Sequence, residues 1–432
     1  MKKKVVVVGP AFSQTGYGEH CRFTLRSLLS RDDIFDIYLR PTGWGKSSWL
    51  LPNDHDRGWL DMLVHKTVLH VQSGGTFDIS LQVTIPNEWE KLAPINIGVT
   101  AGIETTRIAP QWVEKSRLMD RIVTISKHSR DVFLETEYDA VIGETGEKVK
   151  AKCETPVDIV HYPVRDYKPA NIELDFKTDF NFLLISQWGP RKNFESTIKW
   201  WVEEFKDEEV GLIVKTNVMK TSILDRLHTK MRLDSLLTSY GDVKCKVYLL
   251  HGNMSDHELT SLYRHPKVKS LISLTHGEGF GLTLFEAAYN GLPIIAPDWS
   301  GHRDFLYAPK KIRKKGKKPT IKNTAHFAKV AYDIKNVQPE VVWDGVITAD
   351  SSWCYARQHD FTKQCRNVIK NITRFEKQAE NLKSWVLETF TSKNQYEKLC
   401  KAVMDSDPTL TDDGFDVDGW LSEIAQDIQE YE

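Results

Sequence analysis

Short Val/Ile/Leu runs alternate with amphipathic segments from one end of the chain to the other, and this alternation admits few folds. An apolar run without polar interruption suits a strand buried on both faces, the setting of a parallel sheet covered by helices. The runs at 5–8, 95–100, 121–125, 180–185, 210–214, 246–250, 268–273 and 294–296 read as such strands. Between them, apolar residues recur at three- and four-residue spacing near 19–29, 127–134, 193–205 and 223–237. Strand–helix alternation of this kind predicts an α/β chain built from βα units. Ser126 and Ser255 stand where helix N-caps are expected. His70, within Val-Leu-His-Val, reads as a strand residue.

At 432 residues the chain exceeds what one core usually fills, so two domains of roughly 150–200 residues are expected. The pattern breaks at Tyr162-Pro-Val-Arg-Asp-Tyr-Lys-Pro169, where two prolines bracket a polar stretch, and then restarts. This sets one Rossmann-like lobe at residues 1–168 and a second at 169–385. A terminal helix at 386–404 is expected to return to the first lobe, ahead of an acidic tail at 405–432. Residues 361–390 have helical composition throughout, long enough to cross from one lobe to the other.

Net charge is −1, so no global field draws the protein to nucleic acid or an anionic membrane, and any such partner must be met by a local patch. Two segments are strongly biased. Residues 310–322 hold eight Lys/Arg and no acid, while 405–432 hold ten Asp/Glu and no Lys/Arg. The basic run is either a solvated loop or a grip for an anionic acceptor. No apolar run approaches the ~18 residues of a membrane helix. The run at 5–8 is too short for a signal peptide and suits a buried first strand. Six dispersed cysteines without a Cys-x-x-Cys pair argue against a disulfide framework or zinc site and point to a reducing cytoplasm.

Chemistry concentrates in His276-Gly-Glu-Gly-Phe-Gly-Leu-Thr-Leu-Phe-Glu286, which runs on to Gly301. Two glutamates, Glu278 and Glu286, flank a Gly-rich turn that opens an apolar helix. Free backbone N–H groups and the helix dipole at such a turn can hold a phosphate. A carboxylate one or two turns in can accept hydrogen bonds from sugar hydroxyls. Through 279–283, Glu286-Ala-Ala, Gly291-Leu-Pro293 and Ser300-Gly301, the segment resembles the signature of family 4 glycosyltransferases. That resemblance covers most of residues 4–403, strongly in the second lobe and loosely in the first. It implies the GT-B fold, two Rossmann-like parallel-sheet lobes facing a central cleft. It further implies that amides around Phe280, Gly281, Leu282 and Thr283 bind the diphosphate, that Glu286 holds the ribose, and that Glu278 contacts the transferred sugar.

Ser186-Gln-Trp-Gly-Pro-Arg-Lys-Asn193 follows a strand and opens a helix, so Arg191 and Lys192 stand where a strand's carboxyl end meets a crevice. Cations are unfavourable near a helix N-terminus unless an anion is present. Lys192 matches the lysine of the family's Gly-Arg-Leu-x-x-x-Lys pattern, whereas Gln187 falls where the arginine is usual. Gly16-Tyr-Gly18, read as the turn between first strand and first helix, resembles the family's N-terminal Gly-rich loop on the donor, although a tight βα turn needs glycine anyway. Glu104, after a first-lobe strand, is a candidate to orient or deprotonate an acceptor hydroxyl, or else a partner of Arg107. Trp44 and Trp49 read as acceptor-loop aromatics or as core, and Lys314 and Lys315 as acceptor contacts within the basic run. His276 and His302 lie near the motif.

The resemblance implies a retaining glycosyltransferase using a UDP- or GDP-sugar, with no other cofactor and no metal. The acceptor is an envelope or lipid-linked glycan, or a hydroxymethylated DNA base. A nucleotide-sugar epimerase or hydrolase of the same fold is the alternative.

Overall fold

The computed structural model describes residues 2–52, 54–141, 148–312 and 320–410. They form two compact units, the first from Met1–Pro163, Val342–Thr348 and Phe390–Glu432, the second from Val164–Val341 and Ala349–Thr389.

The first unit runs β1 (Lys3–Gly9), α1 (Gly16–Leu29), β2 (Phe35–Pro41), α2 (Arg57–Gln72), β3 (Ile79–Val83), β4 (Ile95–Thr100), α3 (Pro110–Ser116), β5 (Arg121–Thr124) and α4 (Lys127–Glu135). An antiparallel pair, β6 (Glu137–Val141) and β7 (Lys148–Lys152), and then β8 (Val157–Ile159) follow. Six strands make one parallel sheet in the order β2-β1-β3-β4-β5-β8. β1 lies inside it, which is why four consecutive valines, Val5 to Val8, are all buried. Ser126 caps α4 by accepting from Ser129 N–H.

Two expectations fail here. Gly16 and Gly18 are not a turn but the first turn of α1, because Thr15 is the N-cap and its side chain accepts from Gly18 N–H. His70 is helical, in α2, where Leu60 and Thr67 face inward and the neighbouring Val68 and Leu69 stay exposed.

The second unit runs β9 (Asn181–Ile185), α5 (Phe194–Phe205), β10 (Gly211–Lys215), α6 (Ile223–Thr238), β11 (Lys246–Leu250), α7 (Asp256–Tyr263), β12 (Val268–Ile272), α8 (Leu282–Asn290) and β13 (Ile294–Pro297). Then come α9 (Arg303–Leu306), β14 (Tyr307–Ile312), β15 (Thr320–Ala325), β16 (Ala328–Val330), β17 (Tyr332–Asn336), β18 (Ser352–Ala356), α10 (Gln358–Lys370) and α11 (Ile372–Thr389). Its parallel sheet has the order β11-β10-β9-β12-β13-β16. α5 shows how the core forms: Phe194, Thr197, Ile198, Trp201, Val202 and Phe205 recur at three- and four-residue spacing and bury one stripe. Each such buried large apolar side chain contributes roughly 1.5–3 kcal/mol. Ser255 and Glu258 form a capping box on α7.

The helical stretch expected at 361–390 is two helices, α10 and α11, broken at Asn371, the C-cap of α10. The last helix among the described residues, α12 (Ser392–Met404), belongs to the first unit and packs on α1, with Cys400 Sγ donating to Ser27 O at 3.0 Å. The basic run is not simply a loop, since Lys310 and Lys311 on β14 pair across to β15, which carries Lys322. Lys314 and Lys315 lie outside the described residues, as does the acidic tail beyond 410. The chain is thus the expected α/β protein, with two Rossmann-like parallel sheets.

Candidate functional site

In the second unit the strand ends carry the site. After β9, the chain makes one 3₁₀ turn, Pro190–Lys192, and Asn193 adopts a left-handed conformation at φ 49° before α5 begins. Proline suits that first turn, and asparagine is one of the few side chains that tolerates the left-handed region. After β12, the segment 273–281 leads to Gly281 at φ 95°, the N-cap of α8. A side chain there would be strained, so glycine is required. Helix geometry leaves the N–H groups of Leu282, Thr283 and Leu284 without intrahelical carbonyls.

The two segments are laced together. His276 N–H donates to Arg191 O at 2.9 Å, and Arg191 Nη1 donates to Gly277 O at 2.9 Å. Lys192 Nζ meets Glu278 Oε1 at 2.5 Å, with Arg191 Nη1 at 3.6 Å from Oε2. Burial alone would raise the Glu278 carboxyl, but the charges of Lys192 and Arg191 and the Lys192 hydrogen bond hold it down at about 2. The cations before α5 therefore have the anion that their position demands.

A third segment locks Glu278 from behind. Glu278 N–H donates to Ser300 Oγ at 2.9 Å, and Gly301 N–H donates to Glu278 O at 2.9 Å. Ser300 is left-handed at φ 72°, and a Cβ on Gly301 would sit 1.9 Å from Gly279 O. His302 is buried and its Nε2 lies 2.7 Å from Pro297 O, so Nε2 carries the proton; burial lowers its pKa, and Nδ1 has no partner among the described residues. His276 is buried against Trp353 and donates from Nδ1 to Cys354 O, which makes it part of the packing.

Glu286, one turn into α8, receives the hydroxyl of buried Tyr263 at 2.8 Å. Lys215, at the end of β10, lies in the field of Glu286 and donates to Gly252 O at 3.3 Å; burial lowers its amine. Phe280 turns its side chain into the core against Phe285 and Phe305. Tyr263 and Lys215 were not singled out from the sequence, and Ser300 was matched without a role.

In the first unit, Gly16 and Gly18 form a tight entry to α1. A Cβ on Gly18 would sit 1.9 Å from Ser13 O, and Gly16 O accepts from Tyr162. Between them Tyr17 bonds Thr100 Oγ1 at 2.9 Å and stacks on Trp44 at 4.1 Å. Burial raises the Tyr17 phenol, and the carboxylates of Glu104 and Glu88 add to that rise. Trp49 stacks on Phe12 at 5.7 Å yet remains 53% exposed. Arg107 sits over the Tyr138 ring and donates to Glu137 O.

Residues 244–311, which span α8 and the segments before and after it, match the family described as Glycosyl transferases group 1. The serotype-specific mannosyltransferase WbdA of Escherichia coli is 31% identical over 121 residues, 27% of this chain and only 13% of that protein's length. Among solved structures, HepE of Anabaena in complex with UDP-glucose aligns over 93% of this chain and 100% of its own, with a TM-score of 0.56 and 12% identity. Sucrose-phosphate synthase of Thermosynechococcus elongatus aligns over 94% and 99% with a TM-score of 0.57 and 10% identity. These are likenesses of fold. The chain carries a Glycosyl transferases group 1 segment on the GT-B fold of the glycosyltransferases.

Proposed function

We propose that the protein transfers a sugar from a nucleoside diphosphate donor, a UDP- or GDP-sugar, to an acceptor hydroxyl with retention of anomeric configuration. The observation that carries this reading is the Glu278 carboxylate held ionised by Lys192 and Arg191 at the mouth of α8. Lys192 and Arg191 supply positive charge for the departing diphosphate, the main electrostatic demand of breaking a sugar–phosphate bond. Backbone N–H groups from Phe280 to Thr283 add to it. Glu286, oriented by Tyr263, accepts from the ribose hydroxyls, and Glu278 accepts from hydroxyls of the transferred sugar. In the first unit, Gly16 and Gly18 approach the donor and Glu104 orients the acceptor hydroxyl.

The bond from the anomeric carbon to the phosphate oxygen breaks, a bond to the acceptor oxygen forms on the same face, and the acceptor proton passes to the leaving phosphate. No residue is assigned as a covalent nucleophile and no metal is required. WbdA's description as a mannosyltransferase supports hexosyl transfer. A glycan acceptor is the first reading, with Trp44 and Trp49 as its contacts. The exposed cations Lys310, Lys311 and Lys322 motivate a second, a hydroxymethylated DNA base, with Lys314 and Lys315 as further contacts. The six cysteines are buried and in no disulfide among the described residues, which fits a reducing compartment.

The test incubates a panel of nucleotide sugars with glycan and hydroxymethylated-DNA acceptors, with and without EDTA, and weighs the products. Acceptors heavier by one sugar, formed equally with EDTA, support the proposal. Free sugar without a glycosylated acceptor, or turnover abolished by EDTA, contradicts it.

A further inference from the structure

α6 presents its apolar residues the wrong way for a helix that only covers a sheet. Its inward side is Asp225, Thr229 and Leu233. Ile223 is 77% exposed, Leu224 78%, Leu227 55% and Met231 70%, and Met219 just before the helix is 48% exposed. At about 100° per residue these four helical positions share an arc of roughly 100°, opposite the buried stripe. Exposed cations border the arc on both sides, Arg226 and Lys230 along one edge and Arg232 along the other, with Lys220 ahead of the helix. One acid, Asp234, lies in the arc and pairs with Lys230, and Arg232 pairs with Glu195.

The mount of this face is stiff. Asp225 accepts from the N–H groups of Val218 and Met219, both at 3.0 Å, and meets His251 Nε2 at 2.8 Å. Ser222 caps the helix by accepting from Asp225 N–H. Segment 218–225 is therefore pinned, and the stripe is held outward.

We propose that this face of α6 is a docking surface for an anionic lipid bilayer, with Ile223, Leu224, Leu227 and Met231 entering the headgroup–acyl boundary and Lys220, Arg226 and Lys230 meeting lipid phosphates. An apolar stripe between cationic edges is the pattern of a helix lying in a membrane interface. A second copy fits poorly in antiparallel helix pairing, where the Arg226–Lys230 edge meets itself. Contact is peripheral: among the described residues no helix is long and apolar enough to cross a membrane. With net charge −1 overall, binding rests on this local patch.

The test is co-sedimentation of the full chain with vesicles of phosphatidylcholine, with or without ~30% phosphatidylglycerol, at ~50 and ~200 mM salt. Anionic vesicles should bind at least ~10-fold more tightly, and more weakly at the higher salt. The double variant Leu224→Glu/Leu227→Glu should lose that binding by ~10-fold or more with an unchanged melting curve, since both side chains are exposed. Arg226→Glu serves as a second variant with the same expectation. Equal binding to both vesicle types, binding to neither, or wild-type binding by the double variant overturns the proposal. So does a concentration-dependent dimer that the double variant abolishes, which would assign the face to a second copy.

Discussion

Replacing Lys192 by methionine keeps most of the side chain and removes the charge facing Glu278. The Glu278 side chain is only 11% exposed, so its carboxylate has little water to replace a lost partner. It is held at about 2 against an ordinary 4.5, burial opposing and Lys192 then Arg191 prevailing. That depression corresponds to about 3 kcal/mol, an upper figure for the whole surroundings. Lys192 keeps 23% exposure and Arg191 remains at 3.6 Å, so the variant should lose about 1–2.5 kcal/mol at neutral pH. A carboxyl depressed in the folded state contributes fully above its unfolded value, near 4.5, and loses that contribution as pH falls toward 2. The deficit of Lys192→Met is therefore largest at neutral pH and shrinks below ~5. Urea unfolding of the wild type, Lys192→Met, Glu278→Gln and the double variant at several pH values gives the coupling directly. We expect about 1–2 kcal/mol at neutral pH, shrinking below ~4.5 and approaching zero only as pH falls to about 2. A coupling below ~0.3 kcal/mol at neutral pH, or one that does not fall with acid, refutes the reasoning.

Other outcomes follow from single contacts. Tyr263→Phe removes the hydroxyl from Glu286 and should weaken nucleoside diphosphate binding ~3–10-fold by calorimetry, with a small effect on stability. Gly301→Ala forces a Cβ to 1.9 Å from Gly279 O and should abolish that binding and lower the melting temperature, whereas Gly58→Ala, in α2 with open space around it, should be neutral or stabilising by up to ~1 kcal/mol. Asp225, depressed despite its burial by His251 and the backbone N–H groups of Met219 and Val218, stabilises above about 3.8. Asp225→Asn should therefore destabilise at neutral pH, and the difference from wild type should vanish in acid melts.

The residues of the proposed donor site divide by how local their signals are. Gly281 and the two glutamates were legible because a left-handed helix entry and carboxylates at fixed spacing are written into adjacent positions. Lys192 was legible as a cation at a helix start needing an anion, although Glu278 as that anion lies 86 residues away. Tyr263, Ser300 and Lys215 were not, because ordinary residue types gain meaning only from partners the fold selects. Periodicity misled in a similar way. It marked 223–237 as amphipathic, yet the inward side carries Asp225 and Thr229 while Leu224 and Leu227 face out, since spacing does not say which face is covered. His70 looked like a strand residue because a four-residue apolar window cannot distinguish strand from helix. The break at Asn371 was invisible for the reverse reason: the composition on both sides of it is helical.

The measurement closest to the central claim is mass spectrometry of an acceptor panel after incubation with UDP- and GDP-sugars, run beside folded Lys192→Met and Glu286→Ala. The account predicts an acceptor heavier by one sugar, release of the nucleoside diphosphate, and a loss of ~10²-fold or more in both variants. Sugar released without any acceptor gaining mass, or both folded variants turning over at near wild-type rates, would contradict it.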